Sequence, residues 1–105
     1  MSDTRLERLQ RLLEKKPGDP FTLYGLALEY RNLGRDEEAM TCFSQLLDEH
    51  PDYLPAYYQY GVLLGQVEKV EEARETLQAG LELAEKVNDP KARLELAAAL
   101  DELRA

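Results

Sequence analysis

His50 is the only histidine in the 105 residues and Cys42 the only cysteine, so any chemistry is sought there first. A general base or metal ligand needs a second functional group within reach. His50 instead falls just before Pro51, at the end of a predicted helix, where a partly protonated imidazole favours the negative helix terminus. Cys42 stands beside Phe43 with no other Cys or His near it in sequence, which fits a half-buried small hydrophobe better than a nucleophile. The acidic pairs Glu37-Glu38 and Glu71-Glu72 open predicted helices, where carboxylates favour the positive end of the dipole. No ligand set has metal spacing, and no glycine-rich loop would cradle a phosphate. We therefore expect no enzyme activity, no cofactor and no metal.

The elements that carry these residues recur every 34 positions. At that offset Leu26-Ala27 falls on Tyr60-Gly61, Tyr30 on Leu64, Ala39 on Ala73, Phe43 on Leu77, Leu47 on Leu81 and Pro17 on Pro51. Small and large apolar residues returning in one order at this period mark stacked two-helix units. Such units bind partners over an extended surface. Gly or Ala at 27, 61, 39 and 73 allows the helices of a unit to approach closely, while larger residues one turn away fill the space beside the contact.

The residues of the period resemble the tetratricopeptide repeat. Leu23, Leu26-Ala27, Tyr30, Gly34, Ala39, Phe43 and Pro51 match its pattern in kind and spacing, and Tyr57, Tyr60-Gly61, Leu64, Ala73 and Leu77 form a second copy. That copy departs at Glu68, where the inter-helix Gly is expected, at Gly80, where Ala is usual, and at Glu85, in place of the closing Pro. The match spans residues 20 to 87. It implies an all-α fold, a right-handed superhelix of antiparallel helix pairs with about six helices.

Outside the two copies the register continues. Leu6, Leu9, Leu12 and Leu13 make a helical stripe in residues 5–16, with Leu9 over Phe43 and Leu12 over Leu46, so this segment reads as a half-repeat capping the N-terminal side. Asp89-Pro90 reproduces Asp19-Pro20, an N-cap Asp followed by a first-turn Pro. The separation is two periods plus two residues. Under that shift Leu96-Ala97 lands on Leu26-Ala27 and Leu100 on Tyr30. Helices are expected at 5–16, 20–33, 36–50, 54–67, 70–87 and 90–104. The whole of 1–105 reads as one domain: half-repeat 5–16, repeats 20–53 and 54–87, and capping helix 90–104. A start Met and caps at both ends fit a complete protein.

The net charge is −8, and residues 1–16 carry five basic and three acidic side chains, so the acidity lies elsewhere. A surface this acidic repels phosphate backbones and excludes nucleic acid as a partner. No continuous apolar stretch forms a signal peptide or membrane span, and the leucine stripe of the basic first helix is claimed by packing, so no membrane contact is expected. One cysteine rules out an internal disulfide and makes a reducing, cytoplasmic setting the default.

In the family that the chain resembles, the outward residues of successive first helices line a concave groove. Carried over by position, these are Tyr24 and Leu28, Tyr58 and Val62, and Leu94 and Ala98. In the last helix Ala92, Leu96, Leu100 and Leu103 make the packing face, and Leu94 and Ala98 point away from it. An apolar trough results, flanked by Arg31, Asn32, Gln59, Gln66, Glu95, Asp101 and Glu102. Tyrosine suits such a site, with large area and little rotamer entropy to lose. The plainer alternative is that the tyrosines only cover short helices. The family's clamp of Lys, Asn and Arg for a terminal carboxylate is not supported, because Tyr24 and Leu28 stand where Lys and Asn belong. The expected function is an adaptor or scaffold binding a protein or peptide segment, with basic flanks to meet the acidic rim. The rival reading is a homodimer through the same trough or through the half-repeat face.

Overall fold

A computed structural model describes residues 4–104, without the side chain of residue 104. Among these residues the chain forms α1 (Arg5–Lys15), α2 (Pro20–Asn32), α3 (Asp36–Glu49), α4 (Leu54–Gln66), α5 (Val70–Lys86) and α6 (Pro90–Arg104), with no strand. This is the all-α class expected, and each helix lies within a residue or so of its expected bounds. The helices gather into two compact units, Met1–Pro51 and Asp52–Ala105.

Helix starts follow the caps written in the sequence. Thr4 and Glu7 form a reciprocal capping box at α1: the Glu7 N–H donates to Thr4 Oγ1 at 3.1 Å and the Thr4 N–H to Glu7 Oε1 at 3.0 Å. Asp19 accepts the Thr22 N–H at 2.9 Å and the Thr22 hydroxyl at 2.7 Å, with Pro20 in the first turn. Asp89 repeats the device with the Ala92 N–H at 3.0 Å. α3 and α5 have no side-chain cap but carry acids in their first turns, where the dipole stabilises them.

Three helix ends share one turn. The N–H of Arg35, Lys69 and Asp89 donates to the carbonyl of Tyr30, Leu64 and Ala84 at 2.8, 2.9 and 2.9 Å. In each case the residue just before the donor is left-handed: Gly34 (φ 76°), Glu68 (φ 66°) and Asn88 (φ 59°). This closes the last turn of the helix and satisfies carbonyls that would otherwise lack partners. Gly adopts that conformation freely and Asn tolerates it, whereas Glu carries a Cβ penalty.

In the first unit α1 packs on α2 and α2 on α3. Leu23, Leu26, Ala27, Ala39, Phe43 and Leu46 are buried. Leu9 lies on bare backbone at Gly25, where an added Cβ would be 3.2 Å from Leu9 Cδ2. One part of the expected leucine stripe is corrected: Leu12 is 51% exposed, because no helix among the described residues covers its side of α1. In the second unit α4 packs on α5 and α5 on α6, and α6 also touches α4. Leu77 sits against Gly61, where an added Cβ would lie 2.4 Å from Leu77 Cδ2. Gly80 is equally constrained, 2.5 Å from Tyr57 Cβ and 3.0 Å from Leu96 Cδ2 by the same construction. The unusual Gly80 thus fits α5 between α4 and α6.

Two substitutions should move stability in opposite directions. Gly61→Ala gains about 1 kcal/mol of helix propensity but overpacks Leu77 at a cost of about 1–3 kcal/mol, so a net loss is expected. Glu68→Gly removes left-handed strain and should gain up to about 1 kcal/mol after the entropy cost of glycine. Urea unfolding midpoints of the two variants check both signs.

Candidate functional site

The groove positions named from the sequence divide between the two units. On α2, Tyr24 is half-buried and sets its ring edge-on to Phe43, with centroids 6.4 Å apart and planes at 66°. Leu28 and Arg31 are half-buried and Asn32 is exposed. The ring of Tyr24 therefore serves the α2–α3 contact with part of its surface and leaves part in solvent.

In the second unit Tyr58 is half-buried and packs against the cluster of Leu77, Ala84, Leu96 and Leu100. Gln59 and Val62 are half-buried and Gln66 is exposed. Val62 and Gln66 come together at the edge of an open hollow of about 240 Å³. Gly61 and Gly65 make its α4 wall, Leu77 of α5 closes it, and Ala99, Glu102 and Leu103 of α6 face them. The hollow exists because two glycines one turn apart on α4 carry no side chains; a Cβ at Gly65 would stand 3.1 Å from Leu103 Cδ2. Leu94, at 61% exposure, and Ala98 are on open surface of α6 and do not line this hollow. Sequence reasoning missed the contributions of Gly65, Ala99 and Leu103, although the Gly61–Gly65 spacing was the available signal.

His50 is the C-cap residue of α3, and its ring Nε2 lies 2.7 Å from the Gly18 carbonyl oxygen, tying the end of α3 to the α1–α2 loop. Burial pushes the Cys42 thiol up, helped by nearby Glu38, so it stays protonated and poorly nucleophilic at neutral pH. The Tyr57 hydroxyl is also pushed up, by burial first and by Asp52 second. Among the described residues no group of three or more His, Cys, Asp and Glu side chains converges to hold a metal ion. No helix among them is long and apolar enough to cross a membrane.

Paired antiparallel helices with a small residue at the closest contact, a shared left-handed turn and an open first-helix face define a helical-repeat binding fold. Two tetratricopeptide repeat models match the chain, one over residues 20–63 and the other over residues 54–87. A tetratricopeptide repeat domain protein from Salinibacter ruber is 31% identical, with a TM-score of 0.78 over 83% of this chain and 98% of that one. The TPR2B domain of yeast Sti1, solved as a complex with pHsp70, is 18% identical at a TM-score of 0.87, covering 94% of this chain and 79% of that one. The first TPR of Spaghetti (RPAP3), bound to the HSP90 peptide SRMEEVD, is 22% identical at 0.76, covering 95% and 78%. None of the curated proteins matches the sequence. The chain belongs to the tetratricopeptide repeat family.

The Asp19 cap gives a pH test. Its two bonds from Thr22 hold the Asp19 carboxyl below the usual carboxylate range, with Lys16 and His50 adding smaller attractions. A depressed folded pKa contributes stability that is complete above the unfolded value of about 4 and is lost as pH falls through the folded value. Asn caps about as well as Asp but does not titrate. Asp19→Asn should therefore flatten the decline of the urea midpoint between about pH 5 and pH 2.

Proposed function

We propose that this chain is a protein-interaction module that takes up an apolar or amphipathic segment of a partner protein on the free faces of its first helices. The contact residues are Tyr24, Leu28, Arg31 and Asn32 on α2, Tyr58, Gln59, Val62 and Gln66 on α4, and Leu94 and Ala98 on α6. The observation that carries this reading is the open hollow beside Val62 and Gln66, a ready seat for an apolar side chain. Exposed Leu94 on α6 adds apolar surface with no packing role. The peptide complexes of the Sti1 and RPAP3 domains support the use of this fold for peptide capture. Binding, not catalysis, is the activity, and a reducing cytoplasm is the setting that suits it.

The ligand differs from the acidic peptide held by the RPAP3 domain. Tyr24 and Leu28 stand where a carboxylate clamp would need Lys and Asn, and Glu95, Asp101 and Glu102 are exposed on α6. Acids on this face repel a terminal carboxylate and attract lysine and arginine. An apolar centre with basic flanks is the complementary segment.

Peptides selected from a displayed library of apolar-centred segments with Lys/Arg flanks test the proposal. Tyr24→Ala/Tyr58→Ala should cost about 2 kcal/mol of binding, roughly thirtyfold in Kd, with the helical circular dichroism kept. Affinity should also weaken as salt rises from about 0.05 to about 0.5 M. Because both rings also pack inward, Leu28→Lys and Val62→Lys serve as companions and should weaken binding as well. Unchanged affinity in all of these variants overturns the proposal.

A further inference from the structure

In an array of two-helix repeats, a second helix is packed on one side by the first helix of its own repeat and on the other by the first helix of the next. By the 34-residue register α1 is a second helix with no first helix before it, and α6 is a first helix with no second helix after it, among the described residues. Single positions display the result. Leu12 occupies the place of Leu46 and Gly80. Leu46 is fully buried and Gly80 is pressed onto Tyr57, yet Leu12 is 51% exposed. At the other end Ala97 occupies the place of Ala27, which is fully buried, and of Gly61, which lies under Leu77. Ala97 is only half-buried. Each of these helices thus presents a side that no helix among the described residues covers.

The two open sides differ in charge. Leu12 sits in a shallow hollow of about 250 Å³ walled by Arg8, Arg11 and Lys15. The α5–α6 seam opens beside Leu100 into a larger hollow of about 410 Å³, bordered by Glu75, Gln78, Ala79 and Glu82. Arg74 also borders it, but its guanidinium is bonded to Glu71. Across whole helices, α1 carries four basic and two acidic side chains, whereas α5 carries two basic and five acidic. An apolar contact with a basic rim therefore faces an apolar contact with an acidic one.

We infer that α1 of one copy docks on the α5–α6 seam of a second copy, so that α6 and the incoming α1 together complete one repeat. Leu12 supplies the apolar anchor, and the net positive charge of α1 meets the net negative charge of α5. The contact joins two different surfaces, so copies add head to tail, as an open chain or a closed ring. None of the groove residues Tyr24, Leu28, Tyr58 and Val62 takes part, so the assembly stands or falls separately from peptide binding.

Light scattering of the native chain at low salt, over about a hundredfold range reaching about 1 mM, tests this. The mass should rise above the 12.0 kDa of one chain and should fall again when salt is added. Leu12→Arg and Glu75→Lys/Glu82→Lys change exposed side chains and should each keep native helicity. Each variant alone should stay at 12.0 kDa, because each lacks one of the two surfaces. Mixed in equal amounts they retain one compatible pair and should stop at twice that mass. A native chain that stays at one copy throughout overturns the inference, as does either variant associating as the native chain does.

Discussion

The closeness with which α4 and α5 approach at Gly61 is the constraint on which the rest of the second unit depends. Leu77 occupies space that any side chain at 61 would need. Because that space is filled from α5, α4 lies close against its partner. Gly80 repeats the arrangement from the other side, letting α5 meet Tyr57 of α4 and Leu96 of α6 together. Close packing of this kind turns many weak dispersion contacts into a defined geometry, and it tolerates little change in volume. In the first unit Ala27 holds the place of Gly61 and Leu46 that of Gly80, and both are fully buried.

The same shortage of side chains produces the candidate site. Gly61 is filled by Leu77, but Gly65, one turn later, is met only by Leu103, and the space left over is the hollow beside Val62 and Gln66. Candidate site and core therefore arise from one pattern of small residues, applied twice along α4. The pattern also explains the ends. A repeat that buries one face against its neighbour leaves that face open where the neighbour is missing, and Leu12 is the residue where this is most visible.

Much of this could be read in the sequence. The 34-residue register located the helix pairs, the small-residue contacts and the Asp19 and Asp89 caps, because each depends on local chemistry repeated at fixed spacing. The open side of α6, with Leu94 away from the packing face, was legible for the same reason. What escaped was set by pairs of residues distant in sequence or by missing atoms. The bond between His50 and the Gly18 carbonyl joins positions 32 apart and has no local signal. Glu68 in a left-handed turn is the reverse of what glutamate favours; the closing bond from Lys69 to Leu64 imposes it. Leu12 belongs to a helical stripe that names a face but not the neighbour required to cover it. Tyr24 and Tyr58 were placed on the outward face, and their inward contacts with Phe43 and with the Leu77 cluster depend on the neighbouring helices.

The central claim is that partners are read by the first helices, α2, α4 and α6, and not by the second helices or the ends. Two-dimensional amide NMR of the labelled chain, titrated with a selected peptide, tests that claim most directly. Shifts concentrated around Tyr24, Leu28, Tyr58, Val62 and Leu94 are the predicted result. Shifts confined to α1, α3 and α5, with those first-helix amides unmoved, would contradict it.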